Sequence, residues 1–223
     1  MIDQILKNLG YNCDTLMQTH MEKWKNWYKG YVKSFHDYTV YNGKNKVARK
    51  RESLRMAKRV CEDWADMLLN EKVVINVGDD ELNKMLKNVL TKNDFYVQGN
   101  QLIEKAFALG TGAFVEYIDE KGEPVIDYIP GDMIYPISWH GTLVTECAFA
   151  GERTINGVEA YYINIHTKNS SGNYVIQNRL FSKADASELD ISGIVEGIYD
   201  TGSPNKRFQI IMPNIANNVE DNT

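Results

Sequence analysis

The apolar residues of this chain change period near Gly110, and that switch constrains the fold more than any other feature. Before it they recur every three or four residues. After it they alternate, or run in short blocks rich in β-branched and aromatic residues. In the first half, Ile2, Ile5, Leu6 and Leu9 make a short helical stripe stopped by Gly10. Met17, Met21, Trp24, Tyr28 and Tyr31 suit one face of a helix that begins near Asp14 and ends at Gly30. Leu54, Ala57, Cys61, Trp64, Met67 and Leu68 form the clearest stripe, which predicts a buried Trp64. Val73, Val74, Ile75 and Val77 predict a short strand. Asp79 or Asp80 can cap the next helix, with Leu82, Met85, Leu86 and Val89 on its apolar face. Asn93 or Asp94 can cap another, with Leu102, Ile103, Ala106 and Phe107 turned inward, ending at Gly110-Thr111-Gly112.

The second half reads as strands. AFVEYID and PVIDYI flank EKG, a hairpin signal. IYPIS, TLVTECAFAGER, EAYYINIHT and NYVIQNRLFS follow, separated by HG, TING and NSSG. Turns that short join antiparallel neighbours. N-terminal helices followed by a mainly antiparallel meander sheet make an α+β fold. From Ala184 the pattern weakens, RFQIIMPNI reads as a last extended piece, and NNVEDNT reads as a frayed end.

At 223 residues the chain can bury a substantial core. A net charge of −5 argues against a chain that coats nucleic acid over its whole surface. Cys13, Cys61 and Cys147 are far apart and form no metal-ligand pattern, so they read as small hydrophobes in a reducing compartment. The start of the chain does not read as a secretory signal, and no apolar run reaches about 18 residues, so no membrane partner is expected.

One local charge concentration stands out. Lys44, Lys46, Arg49, Lys50, Arg51, Arg55, Lys58 and Arg59 are opposed only by Glu52, with Tyr38 and Tyr41 just before them. Such a run can neutralise phosphates while aromatics stack bases. It can equally be a solvated helix face preceded by a basic loop, or can meet an acidic surface on a neighbouring subunit. Lys44, Lys46, Arg49, Lys50 and Arg51 are the candidate contact patch, with Arg49–Arg51 expected in a loop before the helix and a protein partner preferred to DNA. Elsewhere the chemistry is sparse. His20, His36, His140 and His166 are scattered without a ligand partner at helical spacing. Gly110-Thr111-Gly112 has helix before strand, the wrong order for a phosphate loop. Glu116 and Asp127 lie on opposite arms of the expected hairpin and could be imagined as a metal pair. No catalytic residue, cofactor or metal site is assigned.

SLRMAKRVCEDWADMLLNEKV, with WKNWYKGYVKSFHDY upstream, resembles the helix that opens the wing region of tailed-bacteriophage portal proteins, in the branch infecting Gram-positive hosts. IEKAFALGTGAFVEYID and GEPVIDYIPGDMIYP resemble the passage from helix to sheet in that region, and PNIANN resembles the point where the chain leaves it. The resemblance implies a wing-like α+β domain over residues 1–205 and an exit segment over 206–223. It implies a structural, non-enzymatic subunit of a ring, usually dodecameric, at one capsid vertex of the virion, present in the host cytoplasm during assembly. Its partners would be other portal subunits and the capsid protein, with DNA contacted only weakly. Terminase and adaptor proteins would engage regions absent here, since the stem, clip, tunnel loop and crown of the family do not follow. A truncated chain or a split prophage gene is therefore expected. The residues alone leave two alternatives: a metal-dependent DNA-processing enzyme, or an interaction module unrelated to phage.

Overall fold

The computed structural model describes residues 1–13, 16–70, 72–119, 121–155, 157–191 and 196–211. The fold is mixed α+β, with helices α1 (Ile2–Asn8), α2 (Leu16–Lys29), α3 (Lys33–His36), α4 (Met56–Leu68), α5 (Asp80–Lys92) and α6 (Phe95–Leu109). A hairpin, β1 (Asp37–Tyr41) and β2 (Lys46–Lys50), interrupts the helices. Strands then dominate: β3 (Gly112–Ile118), β4 (Pro124–Pro130), β5 (Ile134–His140), β6 (Leu143–Ile155), β7 (Val158–Lys168) and β8 (Tyr174–Ser182). Three short ones follow, β9 (Glu188–Leu189), β10 (Ile198–Asp200) and β11 (Phe208–Ile211). The chain forms two compact units, one of residues 1–17 and 113–210, the other of residues 18–112 and 211–223.

In the strand-rich unit, β5 to β8 pair consecutively as an antiparallel meander, with β9 and β10 on the outer side of β8. A second sheet has the order β11–β3–β4. Register explains the core. Period-2 alternation sends Tyr135, Ala148, Ala150, Ile163, Ile165 and Phe181 to one face of the meander, where α1 lays down Ile2, Ile5 and Leu6. The alternate residues Ile134, Val144, Cys147, Phe149 and Tyr174 join Ala113, Val115 and Phe208 in a second cluster. Both faces are covered, which is why CAFAG lacks polar alternation. Burying the three α1 side chains contributes about 1.5–3 kcal/mol each.

In the helical unit, α4 and α6 pack together. Cys61, Ala65 and Leu69 are buried, as are Leu102, Ala106 and Leu109 of α6. A side chain at Gly99 would bring its Cβ within 2.8 Å of Leu69 Cδ2, so the helices meet closely there. Asn100 Nδ2 donates to Leu69 O at 2.6 Å and fixes the α4 end. Gly110 closes α6 at φ 82, a conformation glycine adopts without a Cβ clash. Asp79 caps α5, its Oδ1 accepting from Glu81 N and Leu82 N at 3.0 and 2.9 Å.

Three sequence expectations need correction. Trp64 is not buried: it is 40% exposed and stacks on Phe107, ring centroids 5.7 Å apart. The apolar stripe of α4 is wider than its contact with α6, and Cys61 and Ala65 take the inner edge while Met67 and Leu68 remain exposed. Residues 73–77 form no strand, because their backbone has no ladder partner, and Val74 is 83% exposed. On α5, Leu82 and Met85 also face outward. The helix start at Asp14, the segment PNIANN and the frayed end lie outside the described residues. Of the exit segment, Phe208–Ile211 forms β11.

Candidate functional site

The basic run folds into a hairpin, where the sequence suggested a loop. Thr39, Val40 and Val47 are β-branched and suit extended backbone. The reversal is built by Asn42 and Gly43. Asn42 Oδ1 accepts from Lys44 N and Asn45 N at 3.0 and 2.8 Å, and Gly43 sits at φ 91, in the left-handed region. The register pairs Asp37 with Lys50, Tyr38 with Arg49, Val40 with Val47 and Tyr41 with Lys46. Directly paired residues share a face. One face therefore carries Tyr38, Val40, Val47 and Arg49, and the other carries Asp37, Thr39, Tyr41, Lys46, Ala48 and Lys50.

A two-stranded hairpin has little stability of its own. Its base is held by the aromatic residues that precede it. Arg51 N donates to His36 O at 2.8 Å. The Arg51 guanidinium donates to Phe35 O and lies over the rings of Phe35 and Tyr38, at 5.0 and 4.6 Å. Lys50 Nζ lies 4.4 Å from the Tyr31 ring centroid, and Tyr31 donates its hydroxyl to Asp37 Oδ2 at 2.7 Å. That hydrogen bond to a carboxylate raises the Tyr31 phenol above its ordinary range. His36 is buried beside Trp27, Tyr31 and Phe35. Each cation–π contact is worth roughly 0.5–1 kcal/mol at such exposed sites.

The five patch residues thus divide by role. Lys50 and Arg51 clamp the base. Lys44 in the turn, and Lys46 and Arg49 on β2, are exposed. Among the described residues, their side chains make no ion pair and no ring contact. By contrast, Lys58 and Arg59 of α4 are engaged with Glu62 and Asp63, each at 3.2 Å. Arg49 and Lys50 lie within β2 and Arg51 directly after it, not in a loop before the helix. The anchoring aromatics Tyr31, Phe35 and His36 lie outside the patch that charge alone marks out in the sequence. The signal available was the alternation of aromatic and branched residues on either side of Asn42-Gly43.

Glu116 and Asp127 are not brought together. The β3–β4 hairpin closes with Asp119 N donating to Glu123 O at 3.0 Å, and Phe114 meets Tyr128 edge-on. That register puts Glu116 opposite Ile126 and sends Asp127 to the other face. Glu116 pairs instead with Arg207, at 3.0 Å. Asp127 has its carboxyl raised above the usual range by burial, with Arg153 opposing. Among the described residues no three His, Cys, Asp or Glu side chains gather to hold a metal.

His166 is the unexpected residue. It is fully buried, edge-on to both Phe149 and Phe208. Nε2 meets Asn164 Oδ1, while Nδ1 has no hydrogen-bond partner. Burial lowers its pKa to about 4, so the ring is neutral. The environment is a packed core, and the imidazole has no access to a substrate. Cys61 and Cys147 are buried, and burial pushes the Cys61 thiol up to about 11.

The family model described as Phage portal protein, SPP1 Gp6-like matches residues 11–189, well over half of the chain. The protein belongs to the SPP1 Gp6-like phage portal family. No curated protein matches it.

Proposed function

We propose that this chain is the wing portion of a portal subunit and acts as a structural element of the portal ring. In this reading it packs against neighbouring subunits and the capsid shell at the vertex through which terminase drives DNA. It performs no chemistry of its own. Terminase and adaptor proteins engage other parts of such a subunit, and the same ring later joins head to tail. The observation that carries the reading is the family match over residues 11–189, which runs from before α2 through β9 and takes in most of both compact units.

Surface character supports an assembly role. Met56, Val60, Met67 and Leu68 of α4 and Leu82 and Met85 of α5 are all exposed. Large outward apolar side chains at helical spacing mark surfaces that another protein covers. The enzyme alternative loses its carboxylate pair, since Glu116 and Asp127 fall on opposite faces of one hairpin.

Immunogold electron microscopy of phage particles made by a strain carrying the gene tests the proposal. Label confined to the tail-joining vertex is expected. Label over the whole shell, or on no vertex, would overturn it.

A further inference from the structure

We propose that the β1–β2 hairpin docks on the strand-rich unit of a second copy of this chain. The proposal rests on the portal reading only in expecting copies to lie side by side, and it names the surface through which they meet.

Charge distribution is the first ground. Residues 37–51 carry five bases and one acid, a net charge of +4. Residues 1–17 and 113–210 carry sixteen acids and eight bases, a net charge of −8. The overall −5 therefore conceals two regions of opposite sign. A surface that fits a different surface of its own copy makes a head-to-tail contact, the kind that builds rings. Carboxylates suited to meet the hairpin lie at the rim of the strand-rich unit. Glu159, beside the β6–β7 turn, is exposed and makes no ion pair among the described residues, while the exposed Glu152 and Glu188 of β9 already hold Lys183 and Arg179, each at 2.8 Å, and would meet the hairpin by exchanging those partners.

The hairpin's own construction is the second ground. Among the described residues neither β1 nor β2 has another strand beside it, so both outer edges offer unpaired backbone groups. Beside Arg49, one face presents Tyr38, Val40 and Val47, a mixed apolar and aromatic surface suited to protein. For DNA the count is poor. Lys50 and Arg51 are committed to the base, which leaves Lys44, Lys46 and Arg49 to meet phosphates. Three phosphate contacts give a log–log salt slope of only about −2.7, against the 6–10 contacts of proteins that hold DNA tightly.

The test uses the full chain, prepared in light and isotopically heavy forms and mixed at high concentration in about 10 mM salt, where the Debye length is roughly 30 Å. A zero-length carbodiimide reagent joins lysines to carboxylates already in contact. The expected products are light–heavy links from Lys44 or Lys46 to carboxylates within residues 113–210. They should fall at least tenfold when Arg49 is reversed with Arg49→Glu, and at about 1 M salt. Circular dichroism of the variant establishes that it is folded, and Lys44→Ser/Lys46→Ser with an unchanged melt serves as a second check by sedimentation. Absence of light–heavy links, or links only within residues 18–112, overturns the proposal. So does submicromolar binding of double-stranded DNA that the variant loses. A chain that labels the tail vertex without these links refutes the docking alone, and links without vertex label refute the portal reading alone.

Discussion

Acid should destabilise this protein through one identifiable residue, His166. In the folded state its Nδ1 has no hydrogen-bond partner and its ring forms a three-way edge-on cluster with Phe149 and Phe208. A proton there would place a charge among aromatic edges with no acceptor. Burial holds the folded pKa at about 4, against an ordinary 6.5 for the unfolded chain. The unfolded state therefore binds the proton first. The stability that His166 contributes is whole above pH 6.5 and is lost as pH falls toward 4. Linkage between those two values gives a loss of about 2 kcal/mol at pH 5 and about 3 kcal/mol at pH 4. His166→Gln retains a donor toward Asn164 Oδ1 and cannot titrate. Urea unfolding of parent and variant at intervals between pH 7.5 and 4 isolates the contribution, since the carboxylates act equally in both. As pH falls the parent should lose stability relative to the variant by the amounts above. Curves that stay parallel over the whole range would refute the argument and mean that water or a proton acceptor reaches Nδ1.

Other consequences can be read directly. Trp64→Ala should cost about 1–2 kcal/mol, the worth of a stacked pair and partial burial, where a fully buried tryptophan costs about 3–5; a urea midpoint shift of the larger size would mean that Trp64 is covered. Asp79→Ala should cost about 1 kcal/mol by leaving two backbone N–H groups of α5 without an acceptor, measured as a loss of helical signal and a lower melting temperature. Arg51→Ser should loosen the hairpin base and speed amide exchange at Arg51 and along β1, while Lys44→Ser/Lys46→Ser should leave exchange there unchanged. Native Cys61 and Cys147 should resist a thiol reagent at pH 8 and react on unfolding, because burial shields the sulfurs and raises their pKa.

The helix-to-strand switch at Gly110, the meander and the cap at Asp79 were legible because each depends on local sequence. Period, turn residues and a carboxylate before an apolar stripe all act within a few positions. The exposure of Trp64 has a non-local cause. The α4 stripe is broad enough to face either way, and the close approach of Gly99 to Leu69, a contact remote in sequence, selects the Cys61–Ala65 edge. Val73–Val77 has strand propensity without a neighbour to pair with, and propensity alone does not make a ladder. The hairpin was hidden by its lysines and arginines, which resemble a solvated loop. Its stability comes from Tyr31, Phe35 and His36, whose role appears only when the chain folds back. His166 sat in plain alternation with Asn164, but its burial depends on β11, some forty residues later.

The meander has no free face near its centre, since α1 covers one side and the β11–β3–β4 sheet the other. What the meander itself can present to other molecules is confined to its perimeter: turns, strand ends and edge strands. Substitutions divide accordingly. Inside, a one-residue slip of β6 would exchange two complete sets of core side chains, so the strand behaves as a key cut on both sides. At the perimeter, charge can be rewritten with little cost to the fold, and a lineage of such subunits could change partners there while keeping the same central sheet.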